Sequence, residues 1–357
     1  MSGVKCTNKK DLHGTQIFRR IAVAILPRNG KILHVKRGML AAVFSLLITL
    51  TGCGELAYDM AYDPDYPVSS FRVVTNDRYA VGESFAAGLC VTANNVTENT
   101  EFVFGDLGAA GLFDLSNSKI IYANNIHGKL YPASMTKVMT ALVALKYGNL
   151  DDMLVASENA VIDEYGVQTF GLRAGDRMTL DQALHILLIK SANDVGIMIA
   201  EHISGSVEGF AQLMNDEAAR LGATNSHFVN PHGLHDEEHY TTAYDMYLIF
   251  QEAMQYDEFK QIIAMESYTT VYTSADGNAC EETVRSTVQY LTRNYTAPDN
   301  ITVLGGKTGT TNAAGNCLVL LVKDTSGNQY IAVIMRARER GTLYEKMNAL
   351  LSEVYRQ

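Results

Sequence analysis

Strand-type segments lie at both ends of the region 101–357 and helical segments lie between them, an arrangement that constrains the fold more than any other feature of the sequence. Near the start, two short apolar runs flank a Ser-Asn-Ser triplet within residues 111–122. Near the end, two longer runs flank a turn-forming stretch within residues 317–335. Each pair predicts a β-hairpin. Since an isolated hairpin cannot bury its apolar face, the two predict one sheet built from distant segments and covered by helices, an α/β (α+β) domain.

Helical periodicity fills the middle of this region. Apolar residues recur there at spacings of three and four, and several segments begin at a threonine that can cap a helix or stop at a glycine. The predicted helices are 138–145, an apolar helix capped by Thr179 with Gln182, an amphipathic helix over 207–221, a helix capped by Thr242 with Asp245, and a closing helix over 342–355. We therefore expect a folded domain over residues 101–357.

The composition limits the class of partner. The chain has 357 residues, of which 47% are hydrophobic and 19% charged, and its net charge is -10. A net negative charge argues against a nucleic-acid partner, because proteins that bind nucleic acid carry basic patches. No C-x-x-C pair is present, so zinc ribbons and thioredoxin-like motifs are unsupported, and the pairing of the cysteines stays open. The five cysteines are Cys6, Cys53, Cys90, Cys280 and Cys317.

The N-terminal segment has the pattern of a secretory signal. An uncharged apolar run over 39–50 follows a basic pair, and it is shorter than the roughly 20 residues of a membrane-spanning helix. The run ends in L-T-G-C with Cys53 last, which resembles the bacterial lipobox. We expect Cys53 to be lipidated and to hold the protein on the membrane surface; the alternative is an uncleaved membrane anchor with an incidental cysteine. Residues 1–52 are interpreted as a signal segment and 53–100 as a tether and lead-in.

The first chemical motif is S-M-T-K, which places Ser134 and Lys137 three residues apart. On a helix that spacing puts both side chains on one face, so the amine can lie beside the hydroxyl. A serine is a poor nucleophile until a base takes its proton, and a lysine serves as that base only when burial or a nearby cation lowers its pKa. A helix N-terminus at Ser134 would also favour developing negative charge. Alone the motif is weak, because a helix cap beside a solvated lysine has the same spacing.

The second motif is S-A-N, a polar interruption after the apolar stretch H-I-L-L-I-K. A polar break in an apolar helix needs a reason. Ser191 could relay a proton between the nucleophile, a lysine and a leaving amine, and Asn193 could hold the backbone of a peptide substrate. The alternative is a plain loop between two helices.

The third motif is K-T-G-T, from Lys307 to Thr310. On an edge strand, Lys307 and Thr308 would meet a substrate carboxylate. Gly309 would let the substrate approach closely. The backbone N–H of Thr310 would pair with that of Ser134 to form an oxyanion hole.

In this order and spacing the three motifs resemble the S-x-x-K, S-x-N and K-T-G set of penicillin-binding proteins and serine β-lactamases. Longer stretches resemble the low-molecular-mass D-alanyl-D-alanine carboxypeptidases in particular, over about residues 103–355: YPASMTKVMTALVAL, KSANDVGIMIAEHISGS, LGATNSHFVNPHGL, HYTTAYDM and GGKTGTTNAAGNCL. The resemblance implies a β-lactamase/transpeptidase-like fold with a central antiparallel sheet flanked by helices and a helical subdomain, with the site between them.

The resemblance also implies an activity and a set of roles. The activity is removal of the terminal D-Ala from peptidoglycan stem peptides outside the cytoplasm, through an ester on Ser134, without a metal or other cofactor and with β-lactams as covalent inhibitors. Ser134 is the implied nucleophile, Lys137 the proton acceptor, Ser191 the proton relay, and Asn193 and Lys307 substrate contacts. The substrate-binding set is completed by Thr308, Thr310 and Arg293, the last standing where the family often has a substrate-side arginine.

Two other functions compete with this interpretation. A serine β-lactamase needs a second base that activates water for deacylation, and no clear E-x-x-x-N-type segment lies between the second and third motifs. A catalytically slow penicillin-binding lipoprotein is the third candidate, although every catalytic position is present.

Two segments look like motifs of other functions, namely nucleotide binding and metal binding. The G-K-T at residues 306–308 looks like the end of a P-loop, but Ile301 stands where that motif needs its first glycine. His232, His235 and His239 look like metal ligands, but their spacing is not H-E-x-x-H and a loop explains them equally well.

Overall fold

A computed structural model describes residues 88–356, and Cys53, the predicted signal segment and most of the predicted tether lie outside them. In the described part the strands are β1 (Ala109–Asp114), β2 (Lys119–Asn124), β3 (Met153–Val155), β4 (Arg177–Thr179), β5 (Ser267–Thr273), β6 (Ala279–Arg285), β7 (Thr302–Thr311), β8 (Gly315–Lys323) and β9 (Gln329–Ala337). The α-helices there are α1 (Thr136–Tyr147), α2 (Leu180–Ile189), α3 (Asn193–Ser204), α4 (Val207–Arg220), α5 (Ala243–Ala253), α6 (Asp257–Ile263) and α7 (Arg340–Ser352).

The central sheet has five strands in the order β2-β1-β9-β8-β7, and every neighbouring pair is antiparallel. Both predicted hairpins are confirmed, as β1–β2 and β8–β9. The pairing of β1 with β9 joins the two ends of the domain, so the sheet is built from distant segments, as the sequence predicts. Strand β7, which carries the third motif, lies at the edge of this sheet.

Both faces of the central sheet are buried. Along β8, Val319 and Leu321 pack into a core shared with α1 to α5, while Leu318 and Leu320 pack on the other face with α7. A strand buried on both faces reads as a continuous apolar run rather than an alternating one, which matches the stretch over 317–322. The domain therefore has three layers, with the sheet between α7 on one face and the other helices on the opposite face.

The helix starts follow the predicted caps. At the start of α2, the Gln182 N–H donates to Thr179 Oγ1 over 3.2 Å and the Thr179 N–H donates to Gln182 Oε1 over 2.8 Å, which is a complete capping box. At the start of α5, Thr242 Oγ1 accepts from the Asp245 N–H at 2.9 Å. These caps satisfy backbone donors that have no partner inside the helix.

A second sheet was not predicted, so the expectation of one sheet was wrong. Its strands run in the order β3-β4-β5-β6. Strands β3 and β4 have three residues each, too few for a visible alternation, and β5 and β6 are rich in exposed Thr and Glu rather than apolar residues. This sheet matters to the site because β6 ends at Arg285, close to residues that line it.

Three further observations concern the predicted lead-in, the cysteines and the possibility of a membrane-spanning helix. Cys90 is fully buried, with its N–H donating to Tyr247 Oη over 2.9 Å, and Val96 pairs with Ala123, so residues 90–96 already contact the domain. Within the described part of the chain, Cys90, Cys280 and Cys317 form no disulfide. Between residues 88 and 356, the chain has no helix with the length and apolar character needed to span a membrane.

Candidate active site

Ser134 lies in a tight turn at the entrance to α1. A 3₁₀ turn over Ala133–Met135 leads directly into the helix, and Ala133 has a left-handed φ of 48°, which is unusual for a residue with a side chain. The edge strand β7 packs closely against this turn. A Cβ at position 309 would lie 2.6 Å from Pro132 O and 3.1 Å from Ser134 N, so only glycine allows this approach.

The Lys137 amine lies beside the Ser134 hydroxyl, one helical turn further along. Lys137 Nζ is 2.9 Å from Ser134 Oγ, 2.6 Å from Asn193 Oδ1 and 2.6 Å from the backbone oxygen of His232. The lysine side chain is completely buried. First burial and then the charge of Lys307 lower its pKa well below the usual range, against an opposing effect of Asp194.

The contacts of Lys137 suit a neutral amine. A neutral amine has two N–H donors and one lone pair, and two of its three neighbours are acceptors only: Asn193 Oδ1 and the His232 carbonyl. With both N–H bonds directed at these oxygens, the lone pair is left for the Ser134 O–H. This arrangement can take a proton from the serine, which is what general-base activation requires.

Lys307 is a second buried lysine, on the opposite side of the site. Its Nζ donates to Ser191 Oγ over 2.8 Å and to the Thr308 backbone oxygen over 3.0 Å. Burial lowers the pKa of Lys307 to about 7. Ser191 stands between α2 and α3 with a left-handed φ of 66°, and the bond from Lys307 orients its hydroxyl.

Asn193 opens α3, and the next residue fixes a loop beside it. Asp194 is 1% exposed, and its carboxylate accepts from the backbone N–H groups of Phe170, Gly171 and Leu172 at 2.8–3.1 Å. The Asn193 N–H also donates to the Gln168 backbone oxygen over 2.9 Å. A buried carboxylate bound by several N–H groups is strongly held, so it anchors this loop at the rim of the site.

One cleft of about 1220 Å³ brings the three motifs together. Its walls include one or more residues of each motif: Ser134, Ser191, Asn193, Thr308, Gly309 and Thr310. Lys137 and Lys307 lie beneath this surface, both with zero exposure. In the wall, Thr308 Oγ1 is 2.6 Å from Thr287 Oγ1, and Thr310 Oγ1 is 3.2 Å from Asn316 Oδ1.

Arg293 is a predicted substrate-binding residue that the structure places neither in the cleft wall nor beneath it. It is exposed in a turn between β6 and β7, with a left-handed φ of 61°. Its neighbours Thr292 and Asn294 line the cleft, and so do the arginines Arg285 and Arg340, but Arg293 does not.

Sequence reasoning missed Arg285, Arg340 and a loop over residues 164–168, all of which line the cleft. No motif marks them, because the loop reaches the site through tertiary contacts and the arginines stand at the ends of β6 and α7. The signal in the sequence was weak: Gly166 alone marks a turn in this loop.

Two of the three histidines that resemble metal ligands make other hydrogen bonds. His239 Nδ1 accepts from the Val229 N–H over 3.1 Å, and its Nε2 lies 2.8 Å from Thr136 Oγ1. His232 Nδ1 accepts from the Leu234 N–H over 3.1 Å. Among the residues that the structure describes, no group of three or more potential ligand residues could hold a metal ion.

The fold is that of a DD-transpeptidase. The crystal structure of the Streptomyces K15 DD-transpeptidase matches with a TM-score of 0.65 at 22% identity, covering 70% of this chain and 97% of that one. The predicted transpeptidase-like α/β class is thereby confirmed.

Sequence similarity then gives the family. A profile of the D-alanyl-D-alanine carboxypeptidases, peptidase family S11, matches residues 106–339, and the chain belongs to this family. It is 35% identical over 248 residues to the D-alanyl-D-alanine carboxypeptidase DacF of Bacillus subtilis, covering 67% of this chain and 60% of that protein. It is 30% identical over 287 residues to DacC of Escherichia coli, covering 78% of this chain and 68% of that protein. The chain thus spans about 60% of the length of the Bacillus subtilis relative.

Proposed function

We propose that this chain is a serine-type D-alanyl-D-alanine carboxypeptidase that removes the terminal D-Ala from peptidoglycan stem peptides. The observation that carries the proposal is the fully buried Lys137 amine, 2.9 Å from Ser134 Oγ and facing two oxygens that can only accept. Membership of the family supports the substrate class. No step of the reaction proposed below needs a metal or other cofactor.

Acylation begins when Lys137 takes the Ser134 proton and the serine oxygen attacks the carbonyl carbon of the penultimate D-Ala. Negative charge then develops on the carbonyl oxygen, and the backbone N–H groups of Ser134 and Thr310 are proposed to stabilise it. The tight packing of β7 on the Ser134 turn supports this pairing. When the C–N bond breaks, the leaving amine needs a proton, which passes from the Lys137 ammonium through Ser191.

Ser191 and Asn193 can each offer one hydrogen-bond donor to a substrate in the cleft. The Ser191 oxygen accepts from Lys307, so its own proton can be donated to the leaving amine. The Asn193 oxygen is bonded to Lys137, so its NH₂ group can donate to a substrate backbone carbonyl. The Lys307 ammonium and the Thr308 hydroxyl are proposed to bind the terminal carboxylate, with Arg293 as a more distant cation.

Hydrolysis of the ester repeats the same proton movements with water. Lys137, neutral again after the amine has left, takes a proton from water, and the resulting hydroxide attacks the Ser134 ester. The serine oxygen leaves with the proton held by Lys137. A β-lactam would acylate Ser134 by the same route, but its amine stays tethered after ring opening and obstructs the water, so the adduct persists.

The proposal is tested by measuring D-Ala release from a peptide ending in D-Ala-D-Ala, beside a matched peptide ending in D-Ala-L-Ala. Intact-mass and peptide-mapping spectra after benzylpenicillin complete the experiment. We expect release from the first peptide only and a lasting adduct on the peptide that contains Ser134. Rapid penicillin hydrolysis without D-Ala release would identify a β-lactamase instead, and a stable adduct without any turnover would identify a slow penicillin-binding lipoprotein.

The pH dependence of kcat/KM should reflect the protonation state of Lys307. Burial sets its pKa at about 7, so the free enzyme loses the carboxylate-binding charge as the pH rises through that value. Since kcat/KM reports the free enzyme, it should fall on the alkaline side with an apparent pKa near 7. A bound carboxylate favours the ammonium, so the corresponding limb of kcat should move to higher pH.

The control for this prediction is Lys307→Arg, whose guanidinium stays protonated throughout. If charge is what matters, this variant should keep more activity than Lys307→Ala and lose the alkaline limb. A wild-type kcat/KM that stays constant as the pH passes through 7 would show that Lys307 does not act as a titrating cation.

The location is proposed to be outside the cytoplasm, on the cell membrane through a lipid on Cys53. This residue lies outside the described part of the structure, and the proposal rests on the apolar run that ends in L-T-G-C. Cys53→Ser should abolish metabolic labelling with a radioactive fatty acid in a bacterial host. Cys6→Ser is the matched control and should keep the label; persistence of the label in Cys53→Ser would place the anchor elsewhere.

A further inference from the structure

The loop over residues 230–239 contacts the nucleophile turn and the first residues of α1 at three places, and the proposed reaction uses the first of them, the His232 carbonyl. The His232 carbonyl accepts from Lys137 at 2.6 Å. Gly233 lies so close to the turn that a Cβ there would be 1.9 Å from the Ala133 carbonyl oxygen. The third contact is made by His239, which is 2% exposed and reaches Thr136.

The hydrogen bonds of His239 determine which ring nitrogen carries the proton. Nδ1 faces the Val229 N–H at 3.1 Å, and because that group can only donate, Nδ1 must accept. The proton of the neutral ring is then on Nε2, which donates to Thr136 Oγ1 at 2.8 Å. Burial lowers the pKa of His239 to about 4, so the ring stays neutral at ordinary pH.

The Thr136 hydroxyl passes this constraint to the residue before the nucleophile. Its oxygen accepts from His239, so its single proton is directed at the other partner, the Ala133 carbonyl oxygen, 2.8 Å away. Ala133 has the left-handed φ of 48° that most residues with a side chain avoid. Such a conformation persists only where the surroundings hold it.

We propose that His239 is a positioning residue for the nucleophile, acting through Thr136 on the Ala133 carbonyl and so on the turn that presents Ser134. This inference rests on the proposed role of Ser134. A bond at the Ala133 carbonyl fixes the orientation of the peptide plane whose nitrogen belongs to Ser134. The same chain of contacts therefore sets both the hydroxyl that attacks and the backbone N–H proposed for the oxyanion hole.

The contrasting interpretation is a core histidine that contributes only to stability. His239 packs edge-on against Phe228, with ring centroids 5.5 Å apart, as a structural histidine would. The two interpretations differ in what Thr136 does. In a purely structural role, loss of the Thr136 hydroxyl lowers the melting temperature and leaves the acylation rate of the folded protein unchanged.

The test measures the rate of acylation by a fluorescent penicillin, separated into non-covalent affinity and the first-order covalent step, alongside thermal unfolding. Thr136→Val keeps the shape of the side chain and removes the hydroxyl. We expect it to slow the covalent step roughly three- to tenfold, the effect of one net hydrogen bond, with little change in affinity. Thr136→Ser retains the hydroxyl and should react at close to the wild-type rate.

Two substitutions of His239 separate its nitrogens. His239→Gln can place an N–H donor near the position of Nε2, whereas His239→Asn can only place an acceptor near Nδ1. Both should lower stability, but Gln should keep a faster covalent step than Asn. The double variant Thr136→Val with His239→Asn should be no slower than Thr136→Val alone, because both break the same chain of bonds.

Each outcome decides the question. A folded Thr136→Val protein that is acylated at the wild-type rate overturns the inference, as does a double variant whose losses are additive. If Thr136→Val does not fold, the comparison of Gln and Asn at position 239 decides it alone, and equal rates there overturn it. If the wild-type protein is not acylated at all, it is the proposed function of Ser134 that fails.

Discussion

Replacing Ser134 by alanine should abolish both the penicillin adduct and the release of D-Ala. The adduct is an ester of the Ser134 oxygen, so no covalent product can form without it, and D-Ala release should fall by at least about 10⁴-fold. The substitution removes one oxygen and disturbs little else: the hydrogen bond to Lys137 is the one that this side chain makes in the described structure. Intact-mass spectrometry after benzylpenicillin and a D-Ala assay measure the two losses.

Ser326→Ala is a matched control for this experiment. Ser326 is an exposed serine in the turn between β8 and β9, so its loss should leave labelling and turnover unchanged. Normal labelling of Ser134→Ala would refute the assignment of the nucleophile. A Ser134→Ala protein that still folds but no longer releases D-Ala would show that the loss is chemical, which thermal unfolding can verify.

The elements that sequence analysis predicted best are those whose local signals agree with their tertiary role. The capping box of Thr179 and Gln182 marks the first turn of α2 because the same side chains satisfy the first free N–H groups in any helix. The hairpins at the two ends are bounded by turn residues and consist of apolar runs. Strands β3 and β4 lacked both signals, since they have three residues each and are far apart in sequence. Strands β5 and β6 are joined by a turn that contains Asp276-Gly277, a hairpin signal, but their exposed polar side chains give no apolar run.

The candidate site was predictable where chemistry imposes a fixed spacing and unpredictable where it does not. Ser134 and Lys137 must stand one helical turn apart, so a pattern shows them. The acceptor role of the His232 carbonyl cannot be read from a side-chain pattern, because a backbone oxygen belongs to every residue. The cleft position of Arg285 likewise follows from the second sheet, which the sequence did not reveal.

Replacing Lys137 by methionine should slow acylation by about 10²–10⁴-fold, the usual contribution of a general base. Methionine is a flexible, unbranched side chain that can occupy the buried space but cannot take a proton. The wild-type rate should also fall at acid pH as Lys137 becomes protonated. This acid limb of the pH–rate profile lies at a pH below the usual lysine pKa, because burial and the charge of Lys307 lower the pKa of Lys137. In Lys137→Met that limb should disappear together with the activity.

Lys137→Arg distinguishes a base from a cation at this position. A guanidinium stays protonated, so it can preserve positive charge but cannot accept the Ser134 proton. If Lys137 is the base, Arg should be as inactive as Met even in molecules that fold normally; if its charge alone mattered, Arg should retain much of the activity. Thermal unfolding is needed beside the rates, since Met leaves Asn193 Oδ1 and the His232 carbonyl without the donor they share. A buried acceptor without a partner costs about 1–3 kcal/mol, so lower stability is expected, and the rate per folded molecule is what decides the role.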